Sequence, residues 1–131
     1  MNKSNIAFKQ RRIQTFPLLV WRLAFGAYVL AVLVLALMPI DMVMPSTGWD
    51  KSNHLLAFSV LTLLGLRAYP GRTMSLLAGL LTYGVLVEVL QSFTPNRSAD
   101  WQDVVADSVG LVLGWALQLL GLFLRKFRTS S

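Results

Sequence analysis

Residues 88–107, EVLQSFTPNRSADWQDVVAD, separate two long apolar stretches and contain four of the six acidic residues in the 131-residue chain. The Thr-Pro-Asn sequence inside the segment marks a turn. Carboxylates beside segments of membrane-spanning length are costly unless they have partners, water or a function. We therefore interpret this segment as a polar hairpin at one face of a membrane.

The composition of the whole chain is that of a membrane protein. Hydrophobic residues make up 55% of the sequence and the mean hydropathy is +0.58, which is high for a soluble domain. Because the chain has no cysteine, disulfides, thiolate metal sites and cysteine nucleophiles are excluded. The net charge of +6 does not indicate nucleic-acid binding, since the basic residues flank apolar segments instead of forming a stripe with exposed aromatic residues.

Four apolar segments predict an all-α, polytopic membrane protein with four transmembrane helices, at about residues 16–38, 52–68, 73–93 and 103–124. Pro17 suits the opening turn of the first helix, and residues 69–72 form a turn after the second. A basic arm, residues 1–15, precedes this membrane domain of residues 16–124, and a basic tail, residues 125–131, follows it. A soluble bundle is disfavoured because the segments leave no polar outer faces.

The distribution of charge predicts the orientation of the helices. In a four-helix arrangement the amino-terminal arm, Arg67, Arg72 and the basic tail all lie on one side, which the positive-inside rule makes cytoplasmic. All six acidic residues lie on or toward the other side. We therefore expect both termini in the cytoplasm and the 88–107 hairpin outside.

Helical spacing places polar residues of three helices on stripes whose outer ends are expected to face one another. The stripes consist of Lys51, His54, Phe58, Leu61 and Gly65 on the second helix, Gly84, Glu88 and Gln91 on the third, and Asp100, Asp103, Asp107, Gly110, Gly114 and Gln118 on the last. Gly110 and Gly114 form a G-x-x-x-G spacing, which permits the close approach of another helix.

The same residues resemble the VanZ family of small membrane proteins. The resemblance covers about residues 48–120 and rests on Asp50-Lys51-Ser52-Asn53-His54 with Phe58, Glu88-Val89-Leu90-Gln91 with Phe93, Pro95 and Arg97, and Asp103 with Gly110 and Gly114. Asp107 departs from the expected family pattern, which favours asparagine there. The resemblance implies a protein of the bacterial cytoplasmic membrane that is linked to resistance against teicoplanin, a glycopeptide that acts on lipid-linked cell-wall precursors outside the membrane.

Glu88 and His54 are the candidate proton-transfer groups of the outer hairpin, because intramembrane acids mark functional sites and histidine titrates near neutral pH. Each has a structural alternative. Glu88 can pair with Lys51, His54 or Arg97 to close the bundle, and a single histidine can serve as a hydrogen-bonded packing residue. Both interpretations stay open at the level of sequence.

Lys51 and Arg97 are the candidate ligands of a phosphate or carboxylate, with neutralisation of nearby acids as the alternative. The remaining members of the predicted binding site are Gln91, Asp50, Asp100, Asp103 and Asp107. Ser98 or Asp100 can also cap the last helix. Glu88 and the three aspartates of this helix can in principle hold Mg²⁺ or Ca²⁺, but no dedicated loop spacing supports this, so we predict no metal ligands and no required cofactor.

Three functions fit this pattern. The first is a cell-envelope protein that binds an anionic or lipid-linked headgroup, the second a small intramembrane hydrolase or phosphatase-like enzyme, and the third a proton-coupled transporter that acts as an oligomer. The predicted partners are membrane lipids, including a lipid-linked cell-wall precursor, and a homo-oligomer is compatible with each function. No nucleic-acid partner is expected.

Overall fold

The computed structural model describes residues 3–38, 50–95 and 98–129, with side chains at 17–38, 51–95 and 98–128. It contains four helices, α1 (Lys3–Leu37), α2 (Asp50–Ala68), α3 (Thr73–Gln91) and α4 (Trp101–Thr129), and no strand within those ranges. The predicted all-α class and the number of helices are therefore confirmed.

The first and last helices extend beyond their predicted limits. α1 begins at Lys3, so Pro17 lies inside the helix and its expected place in the opening turn is wrong. The residues ahead of Pro17 include Lys9, Gln10 and Arg11, which have good helix propensity, and a helix can continue across a proline at the loss of one backbone hydrogen bond. α4 continues to Thr129, because basic residues suit the carboxyl end of a helix.

Three of the helices are long and apolar enough to cross a membrane, through residues Pro17–Leu37, Thr73–Gln91 and Trp101–Arg128. α2 carries Asp50, Lys51 and Arg67 near its ends and is not among them. It nevertheless packs against the three other helices, while α1 and α4 do not contact each other within the described ranges. A membrane crossing by α2 and the orientation of the bundle stay predictions.

The outer surface of the bundle is apolar. Large side chains such as Leu23, Leu30, Val112 and Leu122 are more than half exposed. An apolar surface of this extent marks a contact with lipid or with another apolar partner.

Close contact between α2 and α4 forms the centre of the bundle. A Cβ atom at Gly110 would lie 2.5 Å from the carbonyl oxygen of Leu55, and one at Gly114 would lie 2.6 Å from that of Ser59. The Ser59 hydroxyl also donates to the carbonyl oxygen of Gly110 at 3.1 Å. The predicted close approach at the G-x-x-x-G spacing is confirmed, and α2 is the helix that approaches.

The turn between α2 and α3 lies at the opposite end of the bundle from the acidic hairpin. Gly71 has a φ of 80°, a conformation that favours glycine, and this confirms the predicted turn. Arg22 of α1 donates from Nε to the carbonyl oxygen of Ala68 at 3.2 Å, while the Arg67 guanidinium stacks over Trp21 at 4.7 Å. These contacts tie α1 to the end of α2.

Candidate functional site

Polar residues from α2, α3 and α4 meet at the end of the bundle beside the α3–α4 connection. The structure brings together His54, Glu88, Asp103 and Asp107, which we call the polar cluster. Glu88 and Asp103 are 5% and 6% exposed, and Asp107 is fully buried. The cluster therefore contains three acidic side chains in the interior of a largely apolar bundle.

Asp107 of α4 orients the imidazole of His54 on α2. His54 Nδ1 lies 3.0 Å from Asp107 Oδ1, within hydrogen-bond distance. When the carboxylate accepts this hydrogen bond, Nδ1 carries the proton and Nε2 is the ring nitrogen that can bind a second group. Nε2 lies 3.9 Å from Asp103 Oδ2.

Gly84 of α3 makes room for the Asp107 carboxylate. A Cβ atom at this position would lie 2.5 Å from Asp107 Oδ2, which is closer than real contacts allow. Asp107 Oδ2 has no hydrogen-bond partner among the described residues. Sequence reasoning placed Gly84 on the polar stripe but missed this steric role. The signal in the sequence is a glycine one helical turn before an acidic residue, Glu88.

Glu88 joins α3 to the start of α4. Its Oε2 atom accepts a hydrogen bond from the backbone nitrogen of Asp100 at 2.9 Å. Asp100 in turn accepts from the backbone nitrogen of Gln102 through Oδ1 at 2.9 Å, which confirms it as the predicted cap of α4. Glu88 thus lies at the positive end of the α4 dipole, and its hydrogen bond comes from the backbone instead of from Lys51.

Lys51 lies at the rim of the site, outside the polar cluster. Its ammonium is 3.8 Å from Asp100 Oδ2 and donates to the side-chain oxygen of Gln102, and the lysine side chain is 52% exposed. Gln102 was missed by sequence reasoning. The other predicted basic ligand, Arg97, and the side chain of Asp50 lie outside the described residues.

Gln91 connects the site to α1. Its Nε2 donates to the carbonyl oxygen of Ala36 at 3.0 Å. Ala36 lies in the last turn of α1, where carbonyl groups have no partner within the helix. The amide nitrogen of Gln91 is therefore used to cap α1.

A cavity of about 320 Å³ is lined mostly by apolar side chains and reaches His54 of the polar cluster. Its walls come from α1, α2 and α3. They consist of Tyr28, Ala31, Val32, Leu35, Ala36, Asn53, His54, Leu56, Ala57, Phe58, Val87 and Gln91. A cavity of about 380 Å³ near Phe25, Tyr69 and Arg72 lies at the other end of the bundle and does not reach the cluster.

The comparison with protein families identifies the group to which this molecule belongs. The model of the VanZ/LLP1 family matches residues 6–124, a range that includes most or all of each helix and the entire polar cluster. The chain belongs to the VanZ/LLP1 family. No curated protein and no solved structure matches it. The resemblance inferred from the sequence motifs is therefore confirmed.

Family membership and the three apolar helices identify a VanZ-like membrane protein. In this VanZ/LLP1 chain the site combines an oriented imidazole, buried carboxylates and an apolar cavity. Such a combination can bind a cation, transfer a proton or hold a lipid beside polar groups.

Proposed function

We propose that this VanZ/LLP1 protein is a multi-pass protein of the bacterial cytoplasmic membrane that holds a lipid with its anionic headgroup at the outer end of the bundle. The headgroup chemistry is that of a phosphate, carried by a phospholipid or by a lipid-linked cell-wall precursor. The observation that carries this proposal is the cavity of about 320 Å³, which is apolar along α1 and polar at His54, Asn53 and Gln91.

The apolar walls suit part of a lipid chain. The cavity has the size of an ordinary small-molecule site and lies beside α1, whose outer surface is apolar. A chain can therefore enter sideways from the membrane without crossing a polar barrier.

The polar rim suits the headgroup. Lys51, which lies beside Asp100 and Gln102 and outside the cavity lining, is the only fixed positive charge among the described side chains at this end, and it is half exposed. The buried carboxylates repel a bare phosphate, so the headgroup is placed at the rim, above the polar cluster. A lipid-linked precursor held there on the outer face is less accessible to a glycopeptide, which connects the site to teicoplanin resistance.

Lipid binding can be measured with the purified protein by native mass spectrometry, using polyprenyl phosphate, phosphatidylglycerol and phosphatidylcholine. Preference for polyprenyl phosphate indicates the cell-wall carrier, and preference for phosphatidylglycerol indicates a phospholipid. The variant Ala57→Trp fills the cavity and is expected to lose binding, whereas Ala116→Trp adds the same bulk to an exposed position of α4. Equal binding by both variants, or of phosphatidylcholine as strongly as of the anionic lipids, rejects the proposal.

The pairing of His54 with Asp107 favours a second candidate function, the hydrolysis of a lipid phosphate. An imidazole oriented by a carboxylate is a common arrangement for a general base, here one that activates water. Release of inorganic phosphate from polyprenyl pyrophosphate tests this function. No turnover by the wild type rejects it, and unchanged turnover by His54→Ala rejects the histidine as the proton-transfer group.

A further inference from the structure

We infer that His54, Glu88 and Asp103 form a binding site for a divalent transition-metal ion of the Zn²⁺ or Mn²⁺ type. A ring nitrogen of His54 and one carboxylate oxygen from each acid all lie within 4.8 Å of one another. Ligand atoms bonded to such an ion at about 2.0–2.2 Å are separated from each other by about 3–4 Å. Small inward movements of the side chains therefore complete the coordination, and the ion links α2, α3 and α4.

A buried carboxylate oxygen gives independent support for a ligand at this position. Glu88 is 5% exposed, and only its Oε2 atom accepts a hydrogen bond, from the backbone of Asp100. Oε1 is buried without a hydrogen-bond partner among the described residues. A buried polar atom of this kind is costly, and coordination to a cation removes that cost.

Asp107 has the geometry of a residue that supports a metal-bound histidine. Histidine ligands usually donate their second ring nitrogen to a carboxylate, which sets the tautomer and the orientation of the ring. Asp107 is fully buried and lies 3.0 Å from His54 Nδ1, so Nε2 faces the ion. Nε2 and Asp103 Oδ2 are 3.9 Å apart, too far for a hydrogen bond but close enough for two ligands of one ion.

The ligand types determine which ions fit. One imidazole and two carboxylates suit Zn²⁺ or Mn²⁺, whereas Mg²⁺ and Ca²⁺ prefer oxygen ligands alone. This set of ligands differs from the all-oxygen Mg²⁺ or Ca²⁺ site considered from the sequence, because the fold brings His54 close to Glu88 and Asp103. His54 also lines the apolar cavity. With the ion bound, its charge offsets that of the two carboxylate ligands, so an open coordination position can accept a phosphate oxygen that the empty cluster repels. The metal site does not depend on the proposed lipid binding, but it is incompatible with His54 as a general base, because the ion would occupy the Nε2 lone pair.

Metal binding can be measured on the full chain, purified without a polyhistidine tag, stripped with chelator and dialysed against Zn²⁺ or Mn²⁺. We expect about one ion per chain, with Mg²⁺ a poor competitor. Glu88→Gln and His54→Ala are expected to weaken binding by at least about 10–100-fold. Arg72→Gln, at an exposed position at the opposite end of the bundle, serves as the control and should retain the affinity of the wild type.

Pulsed electron paramagnetic resonance of the Mn²⁺-loaded wild type gives a readout that does not depend on the folding of any variant. The chain contains one histidine, so nitrogen coupling from an imidazole identifies His54 as a ligand. Absence of that coupling, binding well below one ion per chain, or equal affinity in Glu88→Gln and Arg72→Gln overturns the inference. Metal binding without lipid binding rejects only the proposed function, and the reverse result rejects only the metal site.

Discussion

Replacement of Gly110 by alanine tests the contact on which both the bundle and the polar cluster depend. The new Cβ atom would lie 2.5 Å from the carbonyl oxygen of Leu55, about 0.9 Å short of an ordinary contact of 3.4 Å. It would also lie 3.0 Å from Phe58 Cβ. The closest atom belongs to the backbone of α2 and cannot rotate away, so α2 and α4 must move apart.

The expected cost follows from two opposing effects. Overpacking of a well-packed contact costs about 1–3 kcal/mol. Alanine in place of glycine inside a helix recovers about 0.5–1 kcal/mol. We therefore expect Gly110→Ala to lower the free energy of unfolding by up to about 2.5 kcal/mol, with a central value of about 1 kcal/mol.

Gly121→Ala on the same helix is the matched control, because its Cβ would have no neighbour within 4 Å. This variant gains the helix propensity without the clash, so it should be stabilised by about 0.5–1 kcal/mol. The difference between the two variants isolates the cost of overpacking. It can be measured by reversible unfolding in mixed detergent micelles, followed by circular dichroism.

Unfolding of the two variants at the same detergent composition would refute a steric clash at Gly110. A second readout concerns the site, since Leu55 follows His54 and Gly110 lies one turn after Asp107. Separation of α2 and α4 lengthens the 3.0 Å contact between His54 and Asp107. Gly110→Ala should therefore also weaken the binding of Zn²⁺, and unchanged affinity in a folded, destabilised variant would contradict this link.

Three further predictions concern packing, hydrogen bonding and orientation. Gly84→Ala, which places Cβ 2.5 Å from a buried carboxylate oxygen, should cost up to about 2.5 kcal/mol after the gain in helix propensity. Gly79→Ala, in open space on the same helix, should stabilise by about 0.5–1 kcal/mol, and equal unfolding of the two variants rejects the clash. Tyr83→Phe removes a 2.7 Å hydrogen bond to an α1 carbonyl and should cost about 0.6 kcal/mol in the same unfolding assay. Because the chain has no cysteine, a single introduced cysteine reports its own side of the membrane. Ser98→Cys should react with an impermeant maleimide on intact cells, and Ser75→Cys should react only after lysis. The opposite labelling pattern would show that the proposed orientation is inverted.

The amino-acid sequence alone determined the class of the protein and the faces of its helices. Hydropathy and charge are properties of the linear sequence, so the four helices, and the membrane-spanning length and apolar character of three of them, can be predicted without coordinates. Helical periodicity likewise identified the buried stripe of α3, with Gly84, Glu88 and Gln91 all buried. It also identified the glycines of α4 that contact α2.

The tertiary structure decided which polar groups are partners. Periodicity relates residues of one helix and therefore puts His54 on the stripe of Lys51, but it does not predict the contact of His54 with Asp107 of α4. Spacing within a helix does not specify how far one helix is displaced along another. Here the two α4 glycines fit against backbone carbonyls of α2, and the resulting displacement places the imidazole beside Asp103 and Asp107.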